Sequence, residues 1–267
     1  MKERSGQMTG EISRAISSTA YQTYEKRILK EVMSRPVPQH VAVIMDGNRR
    51  YAKEFGLVVA EGHEKGKEKL EEMLEWCLEL GIKMLTVFAF STENVAREKD
   101  EIETLMRMFI SNFRKLGDDE RVHRHKIRVR VLGQTELLPD DLREAIRYAE
   151  EKTKEYKGYS FNIAVGYGGR EEIIHAMKKI AEAVKTGELA IDDISEKTFA
   201  QHLYTKDMPD PDLILRTSGE ERISNFLLWQ LAYSELYFSD VYWPGFRKID
   251  FLRAVRSYQL RRRRFGT

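Results

Sequence analysis

The chain has a single cysteine in 267 residues, a formal net charge of only +2, and no apolar run that approaches the length of a membrane span. Each shortage excludes something. Cys77 cannot form an internal disulfide, and its place in the apolar-periodic segment LEEMLEWCLELGI makes it a buried structural thiol suited to a reducing compartment. A third of the residues are charged, yet the two signs nearly cancel, so no overall field draws the chain to nucleic acid or to a membrane. A bilayer span needs about 20 consecutive apolar residues and a signal peptide needs an apolar core near its start; neither is present, and a cytoplasmic protein is expected.

What is there reads as alternating strands and helices. Ile12, Ala15, Ile16, Ala20, Ile28, Val32 and Met33 fall at loosely helical spacing, and Arg35-Pro36-Val37-Pro38 must end that helix. HVAVIM (His40 to Met45) is a short apolar strand broken by Asp46-Gly47-Asn48, and helical periodicity then runs through Leu80 to a stop at Gly81. The unit recurs. MLTVFAF (Met84 to Phe90) precedes a helix near Asp100 to Leu116, and KIRVRVLG (Lys126 to Gly133) precedes one near Pro139 to Lys157. FNIAVGYGG (Phe161 to Gly169) and DLILRT (Asp212 to Thr217) supply further strands. Strands separated by helices of this length imply an α/β fold: one domain, residues 36–267, around a parallel sheet of about six strands, with residues 1–35 as a helical extension. Ligands of such sheets gather at the C-terminal ends of the strands.

Three loops fall at those ends: Asp46-Gly47-Asn48-Arg49-Arg50, Ser91-Thr92-Glu93-Asn94 with Arg97, and Arg216-Thr217-Ser218-Gly219-Glu220 with Arg222 and Ser224. Each joins small or hydroxyl residues to arginine. The guanidinium fork matches phosphate oxygens, and glycine lets backbone N–H groups approach an anion. At least one phosphate-rich ligand follows, and several arginine loops suggest two. Asp46, directly after a strand and beside two arginines, suits a Mg2+ ion, which takes one or two carboxylates plus substrate phosphates. Gly62-His63-Glu64-Lys65-Gly66-Lys67 is not a P-loop: it is one spacer short, lacks Ser or Thr after the lysine and follows no strand. His63 opens a helix where it can donate to a diphosphate. The basic residues Arg253, Arg256 and Arg261 to Arg264 accompany no RRM, zinc or helix-turn-helix signature, so no nucleic-acid partner is expected.

HVAVIMDGNRRYA, GHEKG, FAFSTENVAR, FNIAVGYGGR and PDLILRTSGEERISNFLLWQLAYSELYF resemble, in order, the blocks of the cis-prenyltransferase family of the undecaprenyl diphosphate synthase type. The resemblance spans about Pro38 to Gly266. It implies a homodimeric transferase that adds isopentenyl diphosphate to an allylic diphosphate with each new double bond cis, making a glycosyl carrier lipid precursor. Asp46, Gly47, Asn48, Arg50, His63 and Arg97 would then hold the allylic diphosphate, with Arg49 in the same loop, and Asp46 and Glu235 would contact Mg2+. Arg216, Arg222 and Ser224 would hold isopentenyl diphosphate, joined across a dimer interface by Arg264 and Gly266 of the C-terminal tail. Ser91 and Asn94 would lie where the proton leaves the incoming unit. Phe88, Ala89, Phe90 and Met106 would line a tunnel for the tail, with the small Ala89 suiting a medium-length product.

Some positions depart from the common bacterial pattern. Tyr51 stands for a frequent tryptophan, Val59 for an arginine, and Val95 for an aromatic, which favours an archaeal or eukaryotic type and a geranylgeranyl primer over a farnesyl one. Two DDxxD motifs, the mark of the all-helical trans-type enzymes, are absent. The other reading of such a chain is a non-catalytic accessory subunit. Accessory members usually lose the strand-end aspartate and arginines, and this chain keeps Asp46, Arg97, Arg216, Arg222 and Glu235. Peripheral membrane contact would suit a product with a long hydrocarbon tail.

Overall fold

The structure, a computed structural model, describes residues 22–96 and 98–261. By their backbone proximity these residues form two units, Pro38–Gly245 and a smaller one made of the residues up to Val37 together with those from Phe246 on.

The larger unit is built on six parallel strands in the order β3-β4-β2-β1-β5-β6: β1 His40–Ile44, β2 Met84–Ser91, β3 Ile127–Leu132, β4 Tyr159–Tyr167, β5 Leu213–Arg216 and β6 Glu235–Phe238. All five residues of β1 are buried, as expected of a strand covered on both faces. From β1 the chain goes to β2 on one side, whereas β5, on the other side of β1, leads outward to β6. The loops leaving β1 and β5 therefore part, opening a crevice at the topological switch point.

Three helices matter most for the site. α2 (Asn48–Glu54) follows β1 directly, α3 (Val59–Leu80) runs back along the sheet, and α4 (Lys99–Asp118) lies after β2. Met73, Trp76, Cys77 and Leu80 give α3 a buried stripe at helical spacing, and Gly81, at φ 73, caps it. The sequence pattern ran one helix from the first loop to Leu80. The structure breaks it at Phe55–Val58, where Gly56 takes φ 67, so that α2 and α3 can pack on each other. A Cβ at Gly62 or Gly66 would collide with Asn48, so two glycines on α3 permit that approach. The remaining helices are α5 (Glu120–Arg124), α6 (Asp140–Thr153), α7 (Gly169–Thr186) and α8 (Glu196–Ala200). Cys77 is free and buried, and burial pushes its thiol pKa up, in keeping with a structural role.

β2 and β4 carry compensating irregularities. Pairing steps from Phe88↔Ala164 to Phe90↔Val165 and then to Ser91↔Tyr167, so Ala89 is an extra residue on β2 and Gly166, at φ 59, an extra one on β4.

In the smaller unit, α1 covers residues 22–33 and α9 spans Lys248–Leu260. The Gln259 amide donates to the carbonyls of Val32 (2.9 Å), Pro36 (3.1 Å) and Arg35 (3.2 Å), closing the end of the first helix. Arg256 pairs with Glu31 at 3.5 Å, and Arg253 sits over the Tyr24 ring and bonds Asp250. These two arginines are thus engaged within the unit.

Candidate active site

Asp46 and Arg216 leave the neighbouring strands β1 and β5 at the same level, because Ile44 pairs with Arg216. Their side chains meet: Arg216 Nη2 donates to Asp46 Oδ2 at 2.7 Å. The other carboxylate oxygen accepts from Arg50 Nη2 at 3.1 Å, and Arg50 also donates to Ser218 Oγ (2.6 Å) and Glu220 Oε1 (2.9 Å). Thr217 fixes the loop, its hydroxyl accepting from the Asp46 N–H (3.0 Å) and donating to the Asp46 carbonyl (2.7 Å). Burial would raise the Asp46 pKa, but the bonds and charges of Arg216 and then Arg50 outweigh it and hold the carboxyl below its usual range. Asp46 thus stands between two guanidinium groups, of which Arg50 is shared with Glu220.

Arg216 is buried, with 4 % of its side chain exposed; Nη1 donates to Ser224 Oγ (2.7 Å) and to the Arg222 carbonyl, while its Nε has no partner. The segment after β5 is bent around it by residues with left-handed backbones: Ser218 (φ 79), Ser224 (φ 46), Asn225 (φ 63) and Leu227 (φ 47). Such conformations cost on the order of 1–3 kcal/mol each and gather where a ligand must be met. Gly47, at φ 109, makes the corresponding turn after β1, with Tyr242 against the position of a Cβ.

Of these groups Asp46, Arg216, Ser224 and Asn225 line one end of a cavity of about 730 Å3 bordered by α3, α4 and the sheet, and Gly47, Arg49 and Arg50 lie beyond its lining. Asp46, Asn48, His63, Ser91, Asn94, Arg216 and Ser224 all line it, so the three loops read from the sequence do converge. Asn48 Oδ1 is buried without a partner. Asn94 Oδ1 accepts the Ser91 N–H at 3.0 Å, holding the β2 loop in shape. His63 is the fifth residue of α3 and lies 3.2 Å from Glu101 of α4, a carboxylate that also lies 3.8 Å from Arg49.

Several residues sit elsewhere. Arg222 is 62 % exposed and pairs with Glu220, outside the cavity lining. The extra residue in β2 lets both Phe88 and Ala89 reach the cavity but leaves Phe90 in the core, its ring edge-on behind Phe109 at 6.3 Å. Met106 is also core, and Met108 lines the cavity instead. Glu235 opens β6 and pairs with Leu213. It therefore lies three residues, about 10 Å along the sheet, from the level of Arg216, and Asp46 lies beyond that level. The joint contact of Asp46 and Glu235 with a metal is not formed within one chain. Arg97, Arg264 and Gly266 lie outside the described residues.

Two polar residues of the site escaped the sequence reading. Glu101 looked like an ordinary acidic residue in the first turn of a helix, and only the packing of α4 on α3 turns it toward His63. Asn225 follows Ser224 and joins the loops: its amide donates to Glu93 (2.9 Å) and Glu171 (3.1 Å), and its carbonyl oxygens accept from Gly169 and Arg170. Its left-handed backbone is a preference that asparagine shares with few residues, which was the available signal.

Among the described residues no group of three or more His, Cys, Asp or Glu is placed to hold a metal. Mg2+ does not need one, since one carboxylate with phosphate oxygens and waters suffices. Asp46, 27 % exposed and part of the cavity lining, fits that role once a ligand draws Arg216 or Arg50 from its oxygens, whereas Glu220 lies outside the lining. Among the described residues no helix is long and apolar enough to cross a membrane.

Comparison with known proteins places this arrangement. The prenyltransferase family model of the undecaprenyl diphosphate synthases matches residues 44–266. A tritrans,polycis-undecaprenyl-diphosphate synthase (geranylgeranyl-diphosphate specific) of Picrophilus torridus is 57% identical over 243 residues, 91% of this chain and 95% of that protein. A synthase of the same name from Methanopyrus kandleri is 56% identical over 246 residues, 92% and 91% of the two chains. Among solved structures, lavandulyl diphosphate synthase from Lavandula x intermedia, in complex with dimethylallyl diphosphate, superposes with TM-score 0.83 at 43% identity, covering 86% of this chain and 99% of its own. A probable undecaprenyl diphosphate synthase from Campylobacter jejuni gives TM-score 0.71 at 35% identity, over 87% and 100%. With arginines gathered at the switch point, an apolar cavity behind them and these relatives, the chain belongs to the cis-prenyltransferase family and is a transferase of the polyprenyl diphosphate synthase type.

Proposed function

We propose that the chain condenses isopentenyl diphosphate repeatedly with geranylgeranyl diphosphate, in the presence of Mg2+, to give an undecaprenyl-length cis-polyprenyl diphosphate that serves as a carrier lipid precursor. The observation that carries this reading is the union of two opposite environments: a carboxylate clamped between Arg216 and Arg50 at the mouth, and an apolar cavity leading away from it. A prenyl diphosphate has the same two halves. The two synthases named above support the choice of primer and product, and the dimethylallyl diphosphate held by the lavandulyl enzyme supports an allylic diphosphate as one substrate. Retention of Asp46 and Arg216 in working geometry speaks against an accessory subunit.

Bound Mg2+ would neutralise charge that develops on the departing diphosphate. The protein's own groups supply the rest. Arg50, the Gly47–Asn48 backbone turn and His63 hold the allylic diphosphate, with Arg97 as a further donor, and Asp46 is the metal's protein ligand. Arg216 and Ser224 bind the second diphosphate from the β5 side, and donors already fixed in place act without reorganising. Ser91 and Asn94 stand between the two and orient the incoming unit for proton loss. A homodimer in the cytoplasm, touching the membrane when product leaves, completes the proposal; Glu235 and the Arg264–Gly266 tail would serve a neighbouring subunit's site.

The test is incorporation of radiolabelled isopentenyl diphosphate with dimethylallyl, farnesyl and geranylgeranyl primers, with Mg2+ or with chelator. Geranylgeranyl diphosphate should give the highest kcat/KM and products near undecaprenyl length, with none in chelator. Equal use of all three primers, or a single condensation, would overturn the primer and product assignment.

A further inference from the structure

The cavity has two ends, and the second carries groups the reaction does not use. α3 lines it from His63 and Gly66 at the mouth through Leu70 and Leu74 to Glu75 and Leu78. The stretch from His63 to Glu75 is about 18 Å of helix. α4 faces it with Met108, Phe109, Phe113 and Leu116, and on the sheet the lining descends from Phe88 to Phe161 and Ile127 at the starts of β4 and β3. The cavity therefore runs the length of the strands.

At the bottom the lining changes character. Glu71, Glu75, Asp119 and Arg121 all border the cavity, and the side chains of Glu71, Glu75 and Arg121 are about half exposed, so this end reaches solvent through charged groups. Arg121 is the hub. Its Nη2 lies 2.8 Å and its Nε 3.2 Å from the two oxygens of Asp119, its Nη1 3.3 Å from Glu75, and its Nη2 3.6 Å from Glu71. Asp119 also caps α5 by accepting the Arg121 N–H at 2.7 Å. One guanidinium thus ties the start of α5 to α3 across the lower mouth. An apolar tail growing down the channel arrives at ion pairs it cannot solvate. Exposed ion pairs are individually weak, so the tie can part, but each parting must be done against the tail's own poor fit with charge.

We propose that Arg121, bridging Asp119, Glu75 and Glu71, is a latch across the lower mouth of the tail channel and a determinant of product length. The proposal rests on the reading of the chain as a prenyl-elongating enzyme, and it assigns the end of growth to a charged closure that no apolar residue supplies.

Two measurements test it. In the first, Arg121→Glu, which sets like charges across the mouth, should shift products to longer chains at an unchanged initial rate of isopentenyl diphosphate use. Adding Glu71→Lys and Glu75→Lys to that variant should restore the original distribution. The second needs no turnover: affinities of alkyl phosphates of increasing length, by calorimetry. In the unaltered protein affinity should rise by roughly fourfold per methylene, as for burial of CH2, and level off once the tail reaches the latch. In Arg121→Glu the rise should continue for several more carbons. The same plateau in both proteins, at equal thermal stability, would overturn the latch. A chain that elongates no primer yet shows the shifted plateau would count against the proposed reaction and leave the latch standing.

Discussion

Replacing Asp46 by asparagine keeps the shape of the side chain and removes its charge, and the structure says what that costs. Arg216 is 4 % exposed and loses its carboxylate partner, although its bonds to Ser224 and the Arg222 carbonyl remain. Removing one member of a buried pair typically costs about 3–5 kcal/mol. Asp46 is partly exposed, so the lower figure applies, about 3 kcal/mol. Arg50 adds less than about 1 kcal/mol, because it is solvent-screened and keeps Glu220. For a unit of this size about 3 kcal/mol lowers Tm by roughly 6–12 °C. Unlike an ordinary destabilised variant, this one should be rescued by an anion. Inorganic pyrophosphate without metal should raise the Tm of Asp46→Asn more than that of the unaltered protein, since it supplies the missing charge without competing with Asp46. Adding Mg2+ should then raise only the unaltered protein further, and turnover of the variant should fall about a thousandfold. Thermal melts under the three conditions read all of this. A variant within about 2 °C of the unaltered protein, or one indifferent to pyrophosphate, would refute the account of Asp46 as the counter-charge of a phosphate-binding arginine.

Other expectations follow from the same geometry. His40 is buried, its Nδ1–H donating to the Pro209 carbonyl (2.8 Å) and its Nε2 accepting from Thr86 Oγ1 (2.7 Å), and burial lowers its pKa from 6.5 to about 4. The unfolded chain takes up this proton below about 6.5 and the folded one does not until about 4, so stability is full above 6.5 and about 3 kcal/mol is lost by pH 4. Urea unfolding of the protein and of His40→Asn across that window should show the steeper loss in the former; parallel slopes would sink the assignment. Gly47→Ala places a Cβ 2.9 Å from the Tyr242 ring at φ 109 and should cost about 1–3 kcal/mol, read as a lower urea midpoint; an unchanged midpoint would mean the turn is not strained. Gln259→Ala frees three carbonyls at the end of the first helix and should cost about 1–3 kcal/mol, with early hydrogen exchange at residues 30–33; uniform exchange would contradict that role.

The strands were legible because a parallel sheet covered on both faces demands apolar, β-branched runs, and HVAVI, MLTVFAF and DLILR could be little else. The arginine loops were legible because anion binding draws on few residue types. β6 was missed: four residues at a sheet edge, all only partly buried, carry too short a period to separate from a helix. Phe90 was assigned to the channel together with its neighbours Phe88 and Ala89 as one apolar stretch, and an irregular pairing with β4 is invisible from β2 alone. The union of Asp46 with Arg216, 170 positions apart, and the encounter of Glu101 with His63 are products of tertiary packing, which local patterns do not encode.

The matched irregularities at Ala89 and Gly166 bear on how such a chain can vary. β2 and β4 enter at Met84↔Ser160 and leave at Ser91↔Tyr167 with the same offset, because each strand carries one extra residue within that span. Deleting Ala89 alone would shift Ser91 by one place against Tyr167, and deleting Gly166 alone would shift it the other way. Losing both would restore the frame. Length changes at these two sites, some 77 positions apart in the chain, are therefore coupled like the two halves of a compensated frameshift: a relative that has shed one residue is expected to have shed the other, and a designed variant that shortens one strand should be repaired by shortening its neighbour.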